Sequence, residues 1–308
     1  MNVFDLHCDT ASLIFEQKQF LNKNTFHVDL EKMQKANYCG QWFAFFVNLG
    51  LHEKNISPLE KFNLMYDYFI NQINQNKDTI EIVSSAKQYL ELKNKNKISA
   101  FLSLEEGEIV KDGLHIIDEI EQKGVTLMTL TWNVKNSLGY PHSENKGLNK
   151  YGKEVVNYLN IKNILLDVSH LSDQGTLEVL DISKKPVIAS HSNAKAVYNT
   201  SRNLNNDLIR KIAISGGVIG INFYSYFLNL SDNSNINDIL KMINYVYKIG
   251  GSEVVALGTD FDGINCNLEV SNCGEMEKLI NTLSKLYPIK LVEKFMYKNV
   301  ERIILENF

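Results

Sequence analysis

His7 and Asp9 stand two positions apart, so on an extended strand both side chains project from one face while Cys8 projects from the other. A neutral imidazole beside a carboxylate is good ligation for a borderline divalent ion such as zinc, at bond lengths of about 2.0–2.2 Å. His170 and His191 are separated by the length of one βαβ step, which would bring two adjacent strand ends together. A carboxylate from Glu105 could reach both groups and bridge two metals. Metals paired at about 3.5–4 Å activate a shared water and polarise a carbonyl. Taken singly, each residue has a plainer role. A lone histidine at a strand end is more often a hydrogen-bonded structural residue. Asp9 before Thr10 could cap a helix, and Glu105-Glu106 could be solvated loop charge. Ser190 and Ser192 around His191 could be ordinary turn residues. What favours the metal reading is that all of them fall on one edge of the expected fold.

That edge is set by a rhythm of short apolar runs at 3–6, 42–47, 98–104, 125–131, 163–168, 186–190, 217–223 and 254–258. Most are nearly continuous in apolarity, as parallel strands covered on both faces read. Amphipathic stretches lie between them. Helices are expected at 112–123, with Gly124 as its stop, at 172–183, with Ser172 as N-cap, and at 206–215. One helix is expected between the first two strands and two between the second and third, with closing helices near 274–286 and 288–307. Eight strands alternating with helices predict a single (β/α)8 TIM barrel spanning residues 1–308 as one domain. An open doubly wound sheet is the competing architecture, but its G-x-G-x-x-G turn after the first strand is missing.

A barrel carries its active site at the C-terminal ends of its strands. His7 and Asp9 follow the first strand, Glu105 and Glu106 the third, and Thr131-Trp132-Asn133 the fourth. His170 ends the fifth and His191 the sixth. Asn222-Phe223-Tyr224 ends the seventh, and the eighth reaches Asp260 and Asp262. His27, His52, His115 and His142 lack that placement and read as surface residues, His115 in mid-helix. Cys266 and Cys273 lie in a loop beyond the last strand end.

Composition narrows the function classes. A net charge of −4 and a pI near 6.0 lack the basic face that nucleic acid requires. No uncharged apolar run approaches the ~18 residues of a membrane span, and the N-terminus has neither the basic nor the apolar region of a signal peptide. Cys8, Cys39, Cys266 and Cys273 form no C-x-x-C pair and read as reduced thiols of a cytoplasmic protein. Of 32 basic residues, only Arg202, Arg210 and Arg302 are arginine.

The motifs resemble those of the membrane (renal-type) dipeptidases, peptidase family M19, particularly their soluble bacterial branch. The likeness runs nearly end to end: D-L-H-C-D-T at 5–10, L-E-E-G-E at 104–108, L-T-W-N at 130–133, D-V-S-H-L-S at 167–172, V-I-A-S-H-S-N at 187–193, S-R-N-L at 201–204, G-V-I-G-I-N-F-Y at 217–224 and G-T-D-F-D-G at 258–263. It implies a zinc-dependent dipeptidase acting through a metal-bridged hydroxide, with tolerance for D-residues at the C-terminal position. Two Zn²⁺ per chain are implied, one on His7 and Asp9, the other on His170 and His191, with Glu105 as the bridging carboxylate. Glu105 aligns rather than Glu106 because the family motif is Glu followed by two small residues and a polar one. Arg202 matches the arginine that grips the substrate carboxylate, and Asp260 the acid that shuttles a proton to the leaving amine. Trp132 and Tyr224 are further candidates for substrate binding. The partners implied are small dipeptides, with neither nucleic acid nor membrane, and the assembly implied is a homodimer.

Trp132 departs from the animal enzymes, which carry there a histidine that helps hold the tetrahedral intermediate. An indole has only an N–H donor. Two other readings compete. One is a different dinuclear amidohydrolase acting on N-acyl amino acids, cyclic amides or lactones, opposed by the H-x-D opening and the bridging Glu. The other is a non-catalytic barrel, opposed by the intact site positions.

Overall fold

The computed structural model describes residues 1–49 and 56–308. Eight parallel strands form a ring in chain order: β1 (Val3–Cys8), β2 (Tyr38–Phe46), β3 (Ile98–Glu105), β4 (Val125–Thr129), β5 (Leu165–Asp167), β6 (Val187–Ile188), β7 (Ile219–Ile221) and β8 (Val255–Leu257). β8 returns to β1 through the pair Asp5↔Leu257, and the bridge Ala189↔Ile219 joins β6 to β7. Closure makes this a (β/α)8 barrel and removes the open sheet from contention. Strands buried along their whole length, such as β1 and β3, read as mainly apolar runs, their few polar side chains (Asp5, Ser99 and Ser103 among them) being buried as well.

The helices at Asp173–Ile182 and Asn206–Ile214 fall where expected. The Ser172 hydroxyl accepts the Gly175 N–H at 2.9 Å, as an N-cap should. The helix expected over 112–123 begins only at His115, so His115 is an exposed first-turn residue rather than a mid-helix one. Lys150–Leu159 and Ile236–Gly250 cover the β4–β5 and β7–β8 connections. The β1–β2 connection holds two helices rather than one, Thr10–Glu16 and Leu30–Lys35. The second has its own cap, the Asp29 carboxylate accepting from Lys32 N–H at 2.8 Å. Between β2 and β3 the two expected helices, Pro58–Gln75 and Ala86–Asn94, flank an extra strand, Ile80–Ile82, paired to β3. Three residues are too few to leave a periodic signature. No helix of the described residues is long and apolar enough to cross a membrane.

Two local devices set the rim. The first is an extra residue in β1, where Asp5 pairs with Gln41 but Cys8 with Phe43, three steps against two. One inserted residue reverses which side chains face inward. Phe4 therefore joins Trp42 and Phe101 in an aromatic cluster, with ring centroids 5.3 and 5.6 Å from it. Higher on the same strand, His7 also faces inward, its ring 3.8 Å from that of His191 beyond β6.

The second device is close approach at the closure. A Cβ on Gly220 of β7 would lie 1.9 Å from the Ser190 carbonyl oxygen, and one on Gly258, just after β8, would lie 1.8 Å from it. Only glycine lets these backbones meet, since the obstacle is a main-chain oxygen with no rotamer to change. Gly258→Ala should therefore lower the apparent melting temperature by the equivalent of about 1–3 kcal/mol or more. Thermal or urea unfolding followed by circular dichroism measures this, and an unchanged midpoint would refute the crowding.

Candidate metal centre

The strand ends bring His7, Asp9, Glu105, His170, His191 and Asp260 into one buried cluster, the least buried of them 9% exposed. Glu105 occupies the middle. Its Oε2 lies 3.2 Å from His7 Nε2, while its Oε1 lies 3.2 Å from His170 Nε2 and 3.7 Å from His191 Nε2. Asp9 Oδ2 and Asp260 Oδ1 stand 3.4 and 3.8 Å from His7 Nε2. Three overlapping sets therefore have ligand atoms close enough to share an ion: His7/Asp9/Glu105, Glu105/His170/His191 and His7/His191/Asp260. Asp9 sits at the N-cap position of helix Thr10–Glu16, but its side chain makes no capping bond, which disposes of the plainer role for it.

Hydrogen bonding behind the cluster fixes its tautomers. Asn133 Oδ1, an acceptor, lies 2.8 Å from His170 Nδ1, so that nitrogen carries the proton and Nε2 is bare. The Ser190 hydroxyl donates to Asp167 Oδ2 at 2.5 Å and therefore accepts from His191 Nδ1–H at 2.7 Å, leaving His191 Nε2 bare as well. The two Nε2 atoms face each other at 2.9 Å. Two lone pairs at that distance repel unless a cation lies between or beside them. Asp9 Oδ1 is likewise buried without a hydrogen-bond partner, and His7 Nε2 faces the Glu105 and Asp9 carboxylates. Imidazole nitrogens and carboxylate oxygens left unsatisfied in this way fit a divalent ion of the zinc type.

Charge balance leads to the same conclusion. Burial pulls His170 down to about 3, and burial with the neighbouring His7 and Arg202 charges holds His191 well below the usual imidazole range, so both are neutral. Burial also disfavours a charge on His7, but the Glu105 and Asp9 carboxylates outweigh it and hold its imidazole well above the usual value. Burial alone would raise Glu105, yet His7 and His170 bring it below the usual carboxylate range. Burial, reinforced by nearby carboxylates, pushes Asp9 up to about 6 and Asp260 up to about 7. The cluster holds more negative charge than its surroundings neutralise, and positive charge must come from a proton or a metal.

Arg202 is 3% exposed and directs Nη1 to Ser192 Oγ and Nη2 to the His191 carbonyl, both at 3.0 Å. Its Nε has no partner. Burial lowers it to about 10, which keeps it charged at neutral pH. Its guanidinium lies 5.6 Å from the Phe227 ring, against which Tyr224 packs at 5.0 Å. Tyr224 thus packs on the ring that faces the arginine, and its phenol also feels the Asp260 carboxylate. Trp132 packs between Phe46, at 4.9 Å, and His170, at 6.2 Å.

Several residues here escaped the sequence reading. Asp167 gathers four donors, the Ser169 and Ser190 amides and the Thr129 and Ser190 hydroxyls. A carboxylate closing an apolar strand was the available signal. Asp5 receives the His7 and Thr259 amides and the Thr259 hydroxyl, tying β1 to the segment after β8 beneath the cluster. His142 is not an ordinary surface residue, since its ring bonds Asn133 and Ser201 and its amide bonds the His170 carbonyl. His27 is also more than surface, because it pairs with Asp262, whose other oxygen accepts from Thr10 at 2.6 Å. Asp262 therefore braces the rim without joining the cluster. His52 lies outside the described residues.

A closed (β/α)8 barrel with a histidine–carboxylate cluster at its strand ends belongs to the architecture of metal-dependent barrel hydrolases. Residues 1–307 match the membrane dipeptidase family, peptidase family M19, and the chain belongs to that family. It is 30% identical over 271 residues to an uncharacterized dipeptidase of Schizosaccharomyces pombe, an alignment covering 80% of this chain and 63% of that protein. The chain thus spans somewhat less than two thirds of that relative. A metallopeptidase of Rhodobacter sphaeroides, solved with a phosphinate mimic of the dipeptide L-Ala-D-Ala, superposes with a TM-score of 0.92 at 21% identity, covering 100% of this chain and 99% of that one. A dipeptidase of the same family superposes with a TM-score of 0.92 at 22% identity, covering 100% and 98%. At these identities the likeness is one of fold.

Glu106, beside the central carboxylate, is fully buried with a φ of 110°. It accepts from the Trp132 and Glu108 amides and from Asn136. Burial pushes it up to about 7 despite these donors. A carboxyl raised in the folded state contributes stability that is present below its unfolded pKa and lost as pH rises through the folded one. Stability measured with chelator present should therefore fall between pH ~4.5 and ~7, and Glu106→Gln should remove up to about 3 kcal/mol of that fall. Parallel slopes for the two proteins across this window would contradict the assignment.

Proposed function

We propose that the chain is a zinc-dependent dipeptidase whose binuclear centre is held by His7 and Asp9 on one side, His170 and His191 on the other, and Glu105 between them. The division of the two Glu105 oxygens between the two histidine groups carries this reading. A solvated loop carboxylate has no reason to touch both. When bound, the metal pair supplies Lewis acidity at the scissile carbonyl and lowers the pKa of the attacking water.

The remaining steps belong to this chain's own groups. Arg202, braced by Ser192 and the His191 carbonyl, keeps Nε–H and the unused Nη protons for the free carboxylate of a substrate. Its planar fork suits two-point contact better than an ammonium would. A dipeptide ends where Arg202 stands, and a longer peptide would press its next residue against that clamp. Asp260 carries the proton to the departing amine, its Oδ2 held by Asn222 Nδ2 at 2.8 Å and its Oδ1 turned towards His7. Trp132 and Tyr224 line the approach. Tolerance for a D-residue at the C-terminal position is supported by the Rhodobacter sphaeroides metallopeptidase, which binds a mimic of L-Ala-D-Ala.

Zinc-loaded protein should bind about two metals per chain and hydrolyse L,L- and L,D-dipeptides in preference to N-acyl amino acids and lactones, and chelation should abolish turnover. Metal-replete protein that hydrolyses no dipeptide would overturn the proposal. Arg202→Lys should raise KM for dipeptides by roughly 10- to 100-fold while leaving metal content unchanged. Metal loss in that variant would show that the arginine serves the centre and not the substrate.

A further inference from the structure

His142 lies in the long connection between β4 and helix Lys150–Leu159, well away in sequence from the cluster and from Arg202. Three hydrogen bonds nevertheless tie it to three parts of the rim. Its amide donates to the His170 carbonyl at 2.7 Å. Its Nε2 meets Asn133 Oδ1 at 3.1 Å and its Nδ1 meets Ser201 Oγ at 2.9 Å. Asn133 Oδ1 can only accept, and it also takes the His170 proton, so His142 presents Nε2–H to it. The bare Nδ1 then receives the Ser201 hydroxyl proton. One imidazole thereby links the residue that orients His170 to the residue preceding Arg202.

Arg202 itself is anchored to the His191 side, through Ser192 and the His191 carbonyl. Its segment is further pinned where the Leu204 amide donates to the Asn193 carbonyl at 2.8 Å and Asn203 Nδ2 bonds Tyr198 and Phe227. All of those ties lead away from β4. The Ser201–His142–Asn133 chain runs towards it, from the arginine's segment to the residue beyond β4 that orients His170.

We propose that His142 is a positioning residue that fixes the gap between the Arg202 segment and the His170 side of the centre, and so sets the length of peptide accepted. This rests on the dipeptidase reading, in which one end of the substrate is at Arg202 and the scissile bond at the cluster. A gap held from both walls admits two residues and rejects three. With the strap cut at His142 or at Ser201, the Arg202 segment can relax outward while Asn133 still holds His170 through its own bond.

The test compares His142→Ala, His142→Gln and Ser201→Ala with wild type on dipeptides and on the same sequences extended by one residue. His142→Ala should raise dipeptide KM about tenfold, the cost of roughly one well-made hydrogen bond, with kcat changed by no more than about twofold and zinc content unaltered. The ratio of tripeptide to dipeptide kcat/KM should rise. A glutamine amide can donate to Asn133 and accept from Ser201, so His142→Gln should restore most of the selectivity. Ser201→Ala should reproduce the KM effect, and its combination with His142→Ala should be less than additive. A fall in kcat at constant KM would make His142 part of the chemistry, loss of zinc would make it a support for His170, and unchanged length selectivity would leave it no role in the gap; each overturns the proposal. A wild type inactive on every dipeptide would overturn the dipeptidase reading and this one together, whereas an active wild type with indifferent variants overturns this one alone.

Discussion

Two bare imidazole nitrogens held 2.9 Å apart, with a carboxylate oxygen 3.2 Å from one of them, form an arrangement no protein core keeps without strong support. Left to itself, either ring would rotate, take a proton or draw in water. The support comes from behind. Asn133 takes the His170 proton, and Asp167 takes the Ser190 proton so that Ser190 can accept from His191. Asp167 is in turn held by backbone amides of β-strand ends and by Thr129. The outer residues thus fix which face of each ring is empty, and the empty faces converge.

The backbone carries part of the same load. His170, Asp260, Asp262 and Glu106 all adopt positive φ, at 67°, 62°, 70° and 110°. Side chains other than glycine in that region cost about 1–3 kcal/mol each and persist only where the surroundings overdetermine them. Here the surroundings are a closed ring of parallel strands, pulled tight where Gly220 and Gly258 meet the Ser190 carbonyl. Ser190 is thus both a wall of the closure and the acceptor that sets the His191 tautomer. Barrel geometry and metal-site geometry are therefore coupled at one residue.

The strands and the central residues were legible because both write short-range signals. A parallel strand covered on two faces is a largely apolar run, and histidines or carboxylates gather at or just beyond its C-terminal end, although one such as Asp5 can also fall within it. His7, Asp9, Glu105, His170, His191 and Asp260 all stand at such ends. What could not be read depends on partners distant in sequence. His142 occupies an unremarkable polar loop until that loop folds back on β5 and the Arg202 segment. The inserted residue in β1 shows only in its pairing with β2. The H-x-D spacing would place both side chains on one face in any strand, but which face looks inward was decided by that insertion. Composition and spacing alone left Glu106 equivalent to its neighbour Glu105; the motif resemblance chose Glu105, and the fold shows why, with Glu105 facing the cluster and Glu106 propping the Trp132 loop.

The scarcity of arginine in the chain gains its meaning from the same geometry. Elsewhere a lysine serves wherever a plain positive charge at the surface is enough. Arg202 is almost fully buried and must do two things at once: satisfy a hydroxyl and a carbonyl of the protein, and still offer protons to the space beside the centre. An ammonium at 3% exposure would have three donors on one atom, pointing in directions set by a single bond, and burial would drive it towards neutrality. The guanidinium spreads five donors over three atoms in a plane, so two can be spent inward while Nε–H remains without a protein partner. It stays charged through that burial because its starting pKa is high enough to absorb the loss. At this position the chemistry leaves no room for the substitution that the rest of the sequence has made almost everywhere.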